Sequence, residues 1–352
     1  MSRFIQIHAL TIYAPSNLNR DDTGRPKTAK FGGTERLRIS SQALKRAIRT
    51  SDAFKDRVGL HRGQRTQRLG ADLEAYLVDK GLTAGKATTG ARTIAEIFGK
   101  LKDVKGDTPT YIEQLAFISP EERAAAIVLA DKLIAGETLP EKVEDLVPLV
   151  LRRSDTATDV AMFGRMLADN PDFNREAAVQ VAHAITTHRV EVEDDFYTAV
   201  DDLKKPSEDA GAGFIGELGF GSGVFYLYAC IDRDLLESNL GGDKPLAATS
   251  IAALLEGLAT SSPTGKQASF ASRARASYMR VEKGAQQPRS LAAAFFRPVK
   301  GDDMLSTSIA NLEAAAKAMD KAYGACADDH RVMDVSTGAG SFAELIAFAA
   351  AE

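Results

Sequence analysis

The chain opens on an alternation of apolar and polar positions. In Phe4–Ala14, FIQIHALTIYA, the residues Phe4, Ile5, Ile7, Leu10 and Ile12 predict a first β-strand. The stretch from there to Arg38 has no clear period and reads as a long connecting loop, of the kind that usually carries function. The period then changes. From Ser41 to about Ser51, Gln42, Lys45, Arg46 and Arg49 fall within about 100° of one another on a helix, while Leu44, Ala47 and Ile48 fall on the other side. Ser40 or Ser41, after the extended run Arg36–Ile39, is the natural N-cap.

Residues 66–153 repeat helical patterns punctuated by Pro and Gly, and predict a helical insertion between strands. Asp159–Leu167, DVAMFGRML, reads as a strand; Glu176–Thr186 fits a helix or a strand equally. Val190–Val200 and Gly223–Ile231 read as extended segments flanking a Gly-rich excursion, 201–221. Asp232–Leu240 followed by Gly241-Gly242 is a capped helix with a Gly stop. Ala247–Thr260, Ser306–Tyr323 and Phe342–Ala351 are further helices, and Ala276–Val281 a strand. Strands separated by single helices predict an α+β or α/β fold, and an RRM-like βαββαβ core with a helical insertion is one way to arrange them.

Charge sharpens this picture. Between Arg20 and Arg68 there are 14 Lys and Arg against 5 Asp and Glu, a local balance of +9 in a chain whose total is −4, so the remainder carries −13. A basic loop running into a basic helix face, with a helix N-terminus between them, predicts a surface for a run of phosphates. The bland alternative, a solvated basic face, is weakened by Arg20, Arg25, Lys27 and Lys30 in the preceding loop. The 352 residues suffice for one elaborated domain or two. Two cysteines, Cys230 and Cys326, make neither a disulfide framework nor a zinc pattern, and no apolar run has the length of a membrane span. These features predict a reduced, cytoplasmic protein without contact to membrane.

Other candidate chemistry is weak. Residues 211–216, GAGFIG, match GxGxxG but leave no strand and open no helix, which argues against a dinucleotide cofactor. Asp21-Asp22 could hold a divalent metal for RNA cleavage, but a two-metal site wants three or more converging oxygen ligands, and charge balance within the basic loop is the favoured reading. The five histidines lack ligand spacing, so no metal, cofactor or catalytic residue is expected. Phe214, Ile215, Leu218 and Phe220, in the excursion, could wedge between bases, dock on a neighbouring copy, or tuck into the local core. The aromatic RNP pattern of an RRM is missing, so binding led by phosphate and shape is expected.

The segments FIQIHALTIYAPSNLNRDD, KFGGTERLRISSQALKRAIR, DVAMFGRM, AHAITTHRVEVEDDFYTAVDDL and GSGVFYLYA resemble the backbone-forming subunit of the type I-E CRISPR surveillance complex, Cascade, the CasC family of the RAMP superfamily. The likeness covers the first 50 residues and about 155–230 most closely. It implies an α+β fold with an RRM-like (ferredoxin-like) palm, a helical fingers insertion and a thumb hairpin. The corresponding spans are 1–65 (palm), 66–153 (fingers), 154–190 (palm), 191–222 (thumb) and 223–352 (palm and C-terminal helices). It implies a non-enzymatic subunit that stacks head-to-tail with copies of itself along CRISPR guide RNA, antiviral defence through pairing of that guide with target DNA, partnership with other Cascade subunits, and cutting left to a separately recruited helicase-nuclease. By position, Arg20, Lys27, Ser40, Gln42, Lys45, Arg46 and Arg49 would contact the guide, with Arg165 and Met166 beside the palm. Thr198, Phe214 and Ile215 would belong to a nucleotide-displacing thumb. The resemblance assigns no nuclease to Asp21 or Asp22, and a metal-dependent ribonuclease acting through them is the alternative function.

Overall fold

The computed structural model describes residues 3–199 and 214–352, and no side chain at 214 or 215. The chain divides into two compact units. One comprises residues 1–54, 181–231 and 251–352; the other comprises 55–180 and 232–250.

The first unit is built on a sheet. Its strands are β1 (Phe4–Ser16), β2 (Thr28–Phe31), β3 (Thr34–Ile39), β4 (Ala184–Thr186), β5 (Glu193–Ala199), β6 (Phe214–Asp232), β7 (Ala276–Gly284) and β8 (Asp329–Asp334). They lie in the order β8-β7-β1-β6-β4-β3-β2, with β5 on the far end of β6. β1 runs antiparallel to β7, with Phe4 opposite Gly284 and Ile7 opposite Val281. The helices α1 (Ser41–Thr50) and α2 (Lys244–Thr260, in this unit from Ile251 on) complete the chain order β1-α1-β4-β6-α2-β7. With β7-β1-β6-β4 adjacent in that order, this is the βαββαβ arrangement with sheet order 4-1-3-2. The fold is α+β, and the RRM-like core foreseen as one arrangement is the one found.

Both faces of the sheet are covered, which is why β1 is buried at every position from Ile5 to Thr11. On the odd-numbered face, Thr11, Tyr13, Phe225 and Leu227 pack beside Leu44 and Ile48 of α1 and Leu258 of α2. Gly257 is needed there: a Cβ at that position would come within 2.7 Å of Ile48. On the other face, Leu10, Tyr226, Tyr228 and Tyr278 lie beneath Leu291, Phe295 and Leu312, the last from α3 (Met304–Tyr323). Polar residues on this face bond to one another. His8 Nδ1 and the Tyr226 hydroxyl are 2.9 Å apart, and Tyr228 donates to Gln6. Glu282 accepts from Arg280 at 2.7 Å and from Arg289.

The second unit is helical. Leu69–Asp79, Ala84–Ala95, Pro120–Ile134 and Val143–Val150 enclose Leu73, Leu77, Ile94, Ile97, Leu129 and Leu146. A short ladder pairs Gln64–Thr66 with Ala116–Ile118. Ser119 starts the longest of these helices with a capping box, its Oγ accepting from Glu122 N while the Glu122 carboxylate accepts from Ser119 N. The unit's extent takes in residues on both sides of the 66–153 span.

Two expectations are corrected. The loop to Arg38 contains the β2–β3 hairpin, which turns at Gly32-Gly33 with φ of 59° and 76°, values that suit glycine in a tight turn. Asp159–Leu167 is not a strand: Thr158–Phe163 is a short helix ended by Gly164 at φ 77°. Its start is fixed by tertiary bonds that periodicity does not report, Thr158 to the His61 carbonyl and Gly63 N to Asp159. Asp329–Asp334, for which the sequence predicts no element, is an addition and pairs along β7 as an edge strand. The ambiguous Glu176–Thr186 resolves into strands Val179–Val181 and Ala184–Thr186. Residues 200–213, which include the first half of the GxGxxG match, lie outside the described residues.

Candidate nucleic-acid interface

The helix α1 is built as its sequence predicts. Ser40 is the N-cap, its Oγ accepting from Ala43 N at 3.3 Å, and Leu44, Ala47 and Ile48 are buried. Ser40 is itself buried, so its part is to shape the helix start rather than to present its side chain. Gln42 and Arg46 are exposed, and Lys45 and Arg49 are half-buried along the same face. Burial of the Lys45 stem lowers its pKa from the ordinary lysine value.

The preceding loop is strapped to that helix by two asparagines. Asn19 accepts from Ser40 N at 2.8 Å, and its carbonyl accepts from Lys27 N at 2.8 Å. Asn17 is fully buried and donates both to Gly24 O at 2.9 Å and to Gly219 O on β6 at 2.8 Å. One amide therefore ties the loop to the base of the β5–β6 hairpin. Arg25 reinforces the tie through Asp194 on β5 at 2.8 Å. At the helix start, Ser41 N donates to His183 Nδ1 at 2.9 Å. The His183 pKa is lowered by partial desolvation and by the nearby Arg38 and Lys27, which keeps that ring nitrogen free to accept.

Asp21 acts as a turn cap. Its Oδ1 accepts from Thr23 N, Thr23 Oγ1 and Arg25 N at 2.8–3.0 Å. The Thr23 hydroxyl, then the backbone N–H groups, lower its pKa from the ordinary carboxylate value. Asp22 is exposed beside it. Among the described residues, no three His, Cys, Asp or Glu side chains converge as a metal site would require.

Arg20, Asp21, Asp22 and Arg46 line one cleft of about 550 Å³, together with Thr50 and residues 263–265. Lys27 is half-buried on the strap leading to β2. Arg36, counted in the basic stretch, contributes nothing to the surface. It is fully buried and donates to Thr186 O at 3.0 Å and Phe295 O at 2.9 Å.

Arg165 requires a correction. Its side chain is 1% exposed in the helical unit, and its guanidinium pairs with Glu122 at 2.6 Å. The same group donates to the carbonyls of Phe117, Arg152 and Phe173 at 3.0–3.2 Å. With both terminal nitrogens engaged it has nothing to offer a nucleic acid. It holds the loop on which Met166, 80% exposed, is presented. Thr198 is exposed on β5 and faces Ile215 in the ladder, with Ala199 facing Phe214. The side chains of Phe214 and Ile215 lie outside the described residues. Every residue of β5 is exposed, including Phe196 at 66%, an apolar group that the sequence reading overlooked in favour of the partner strand.

Asn17, Asn19 and His183 were also missed. The signal available for the asparagines was their position, just past a strand and before a basic loop, where Asx side chains bond to local backbone. His183 had none, since it reaches Ser41 across 142 residues.

The fold that carries these residues is similar to known structures. A chain of a "CRISPR RNA-guided surveillance complex, pre-nicking" matches with a TM-score of 0.85 and 30% identity, covering 99% of each chain. A chain of a "CRISPR RNA-guided surveillance complex" matches with a TM-score of 0.74 and 25% identity, again over 99% of each. No protein with a curated description matches. The model of one sequence family, described as "CT1975-like protein", matches residues 5–349. A match of that extent, on a chain whose fold also follows these structures from end to end, means that this protein belongs to the CT1975-like family.

Proposed function

We propose that this protein is a non-catalytic guide-RNA-binding subunit of a type I-E CRISPR surveillance complex. It stacks head-to-tail with copies of itself along the guide and holds the guide for pairing with target DNA, in the cytoplasm. Other complex subunits cap the filament, and a separately recruited helicase-nuclease cuts. The observation that carries the reading is the full-length likeness to a chain of a CRISPR RNA-guided surveillance complex.

The basic face gives the reading its chemistry. Arg20, Lys27, Gln42, Lys45, Arg46 and Arg49 meet phosphates and sugars, with Ser40 fixing the helix start and Met166 adding an apolar contact. Thr198, Phe214 and Ile215, on the hairpin, reach the RNA held by the next copy and displace a nucleotide. Such contacts carry no base readout, as a carrier of arbitrary guides requires. A metal-dependent ribonuclease using Asp21 and Asp22 is the weaker reading, since one Asp21 oxygen already serves three donors of its own turn.

The test is co-expression with a CRISPR array and companion subunits, followed by native mass spectrometry. Several copies on one guide-length RNA are expected. A monomer that elutes without RNA refutes the proposal.

A further inference from the structure

One segment of the sheet unit has features that the helix face and its strap do not explain. Residues 261–275 leave α2, make a single turn at Gln267–Phe270 and lead into β7. The residues flanking that turn, Lys266 and Ala271, have φ of 50° and 48°. They are the only non-glycine residues with positive φ among those described. Such positions are strained for a residue with a Cβ and persist only where their surroundings impose them.

The surroundings do so. Gly265 lies directly on the strap: a Cβ there would fall 2.4 Å from Leu18 O and 2.6 Å from Asn17 O. Gln267 Nε2 donates to Pro263 O at 3.2 Å and Ser272 O at 3.3 Å, closing the segment on itself. Phe270 packs on Phe220 of β6, with ring centroids 5.9 Å apart. The segment is thus held rigidly between the basic strap and the base of the hairpin.

What it holds out is charge. Arg273 and Arg275 are both exposed. They line a trough of about 540 Å³ whose opposite wall is Ala47, Thr50 and Ser51 at the end of α1. The trough shares Ala47, Thr50 and Thr264 with the cleft of Arg20 and Arg46, so the two run into one another. Its lining is hydroxyl and guanidinium groups, the Gln267 amide and three alanines with one carboxylate, Asp52, and it lacks the large apolar side chains that a protein or lipid partner would bury.

We infer that residues 261–275 form a second contact for a phosphodiester backbone, in which Arg273 and Arg275 bind phosphates and the trough leads the strand past the end of α1. The inference rests on the proposed role in nucleic-acid binding. Guide RNA and the target strand paired to it share this chemistry, and the test separates them.

The full chain is assembled into its complex and the salt dependence of binding is measured in two arms: guide RNA to the protein, and target DNA to the guide-loaded complex. Arg273→Ala with Arg275→Ala should flatten the slope of log K against log salt by about 1.4 for a single strand, at about 0.7 per lost contact. Flattening in the first arm assigns the guide, and flattening only in the second assigns the target strand. The charge-keeping pair Arg273→Lys with Arg275→Lys should retain the slope. Unchanged slopes in both arms for the alanine pair, beside a flattened guide slope for Lys45→Ala with Arg49→Ala, would overturn the inference while leaving the proposed function standing. Unchanged slopes for both alanine pairs would remove the proposed function as well.

Discussion

Replacing Arg165 with alanine separates a structural hub from a nucleic-acid contact. The guanidinium makes one ion pair and three carbonyl bonds with 1% of its side chain exposed. Its removal leaves the Glu122 carboxylate at 0% exposure with only the N–H groups of Ser119 and Arg152 to stabilise its charge. Breaking a buried pair from one side costs about 3–5 kcal/mol. For a unit of roughly 150 residues, at about 4 °C per kcal/mol, the helical unit should melt about 10–20 °C lower. The assay is scanning calorimetry of the variant beside the guide-RNA salt slope measured below its melting temperature. The melting transition should fall while the slope stays at its wild-type value. Arg165→Lys should recover only part of the loss, because one ammonium cannot serve a carboxylate and three carbonyls from the same position. A melting temperature within about 2 °C of wild type, with a slope flattened by about 0.7, would place Arg165 on a phosphate and refute the assignment.

Other outcomes follow from the same geometry. Lys45→Ala with Arg49→Ala should weaken binding of every guide sequence alike, and loss confined to one sequence would mean base readout. Asn17→Ala, by stripping Gly219 O of a buried donor, should cost about 1–3 kcal/mol, and Asn17→Asp should cost more because a carboxylate would face two carbonyl oxygens; equal melting of the two variants would contradict this. His8 is fully buried among Tyr226, Glu282, Arg280 and Arg289, and burial lowers its pKa from 6.5, so the unfolded chain takes up a proton that the folded chain refuses. Stability should therefore be full above about pH 6.5 and fall as the pH drops below it, with a shallower fall in His8→Gln; a fall that starts only on the alkaline side would reverse the sign. Asp22→Ala should leave target binding intact, and magnesium-dependent RNA cleavage abolished by that change would revive the nuclease reading.

The sequence carried the local devices well and the long-range ones poorly. The Ser40 cap, the buried stripe Leu44-Ala47-Ile48 and the Gly241-Gly242 stop are all decided within one or two turns of chain, and the structure shows each of them. Arg36 and Arg165 looked like surface charge because nothing local distinguishes a buried arginine from an exposed one. Their partners, Phe295 O and Glu122, lie 259 and 43 residues away. The helix at Thr158–Phe163 was not legible for the same reason, since the bonds that set its start, from Thr158 to the His61 carbonyl and from Gly63 N to Asp159, join residues about 100 positions apart. The Gly32-Gly33 turn of the β2–β3 hairpin is a local signal, legible in the sequence as a glycine pair between two short extended runs.

The covered sheet explains why a chain with this core should grip phosphates. In an RRM, bases stack on the open face of the sheet. Here Tyr226, Tyr228 and Tyr278, the aromatic residues on that face, lie under Phe295 and α3. Burial raises the pKa of each hydroxyl well above the ordinary tyrosine value. Uncovering them for a base would break the core and strand the His8–Glu282 network, so the face is closed to ligand. The basic helix face, its strap and the trough that continues them stay open, and they offer chiefly cations and hydroxyls. Binding there depends on the number of phosphates met, not on which bases they carry. A subunit that must accept any guide while leaving the base edges free for a second strand has that same requirement. Under the proposed function, a covered sheet beside a basic edge would meet that requirement.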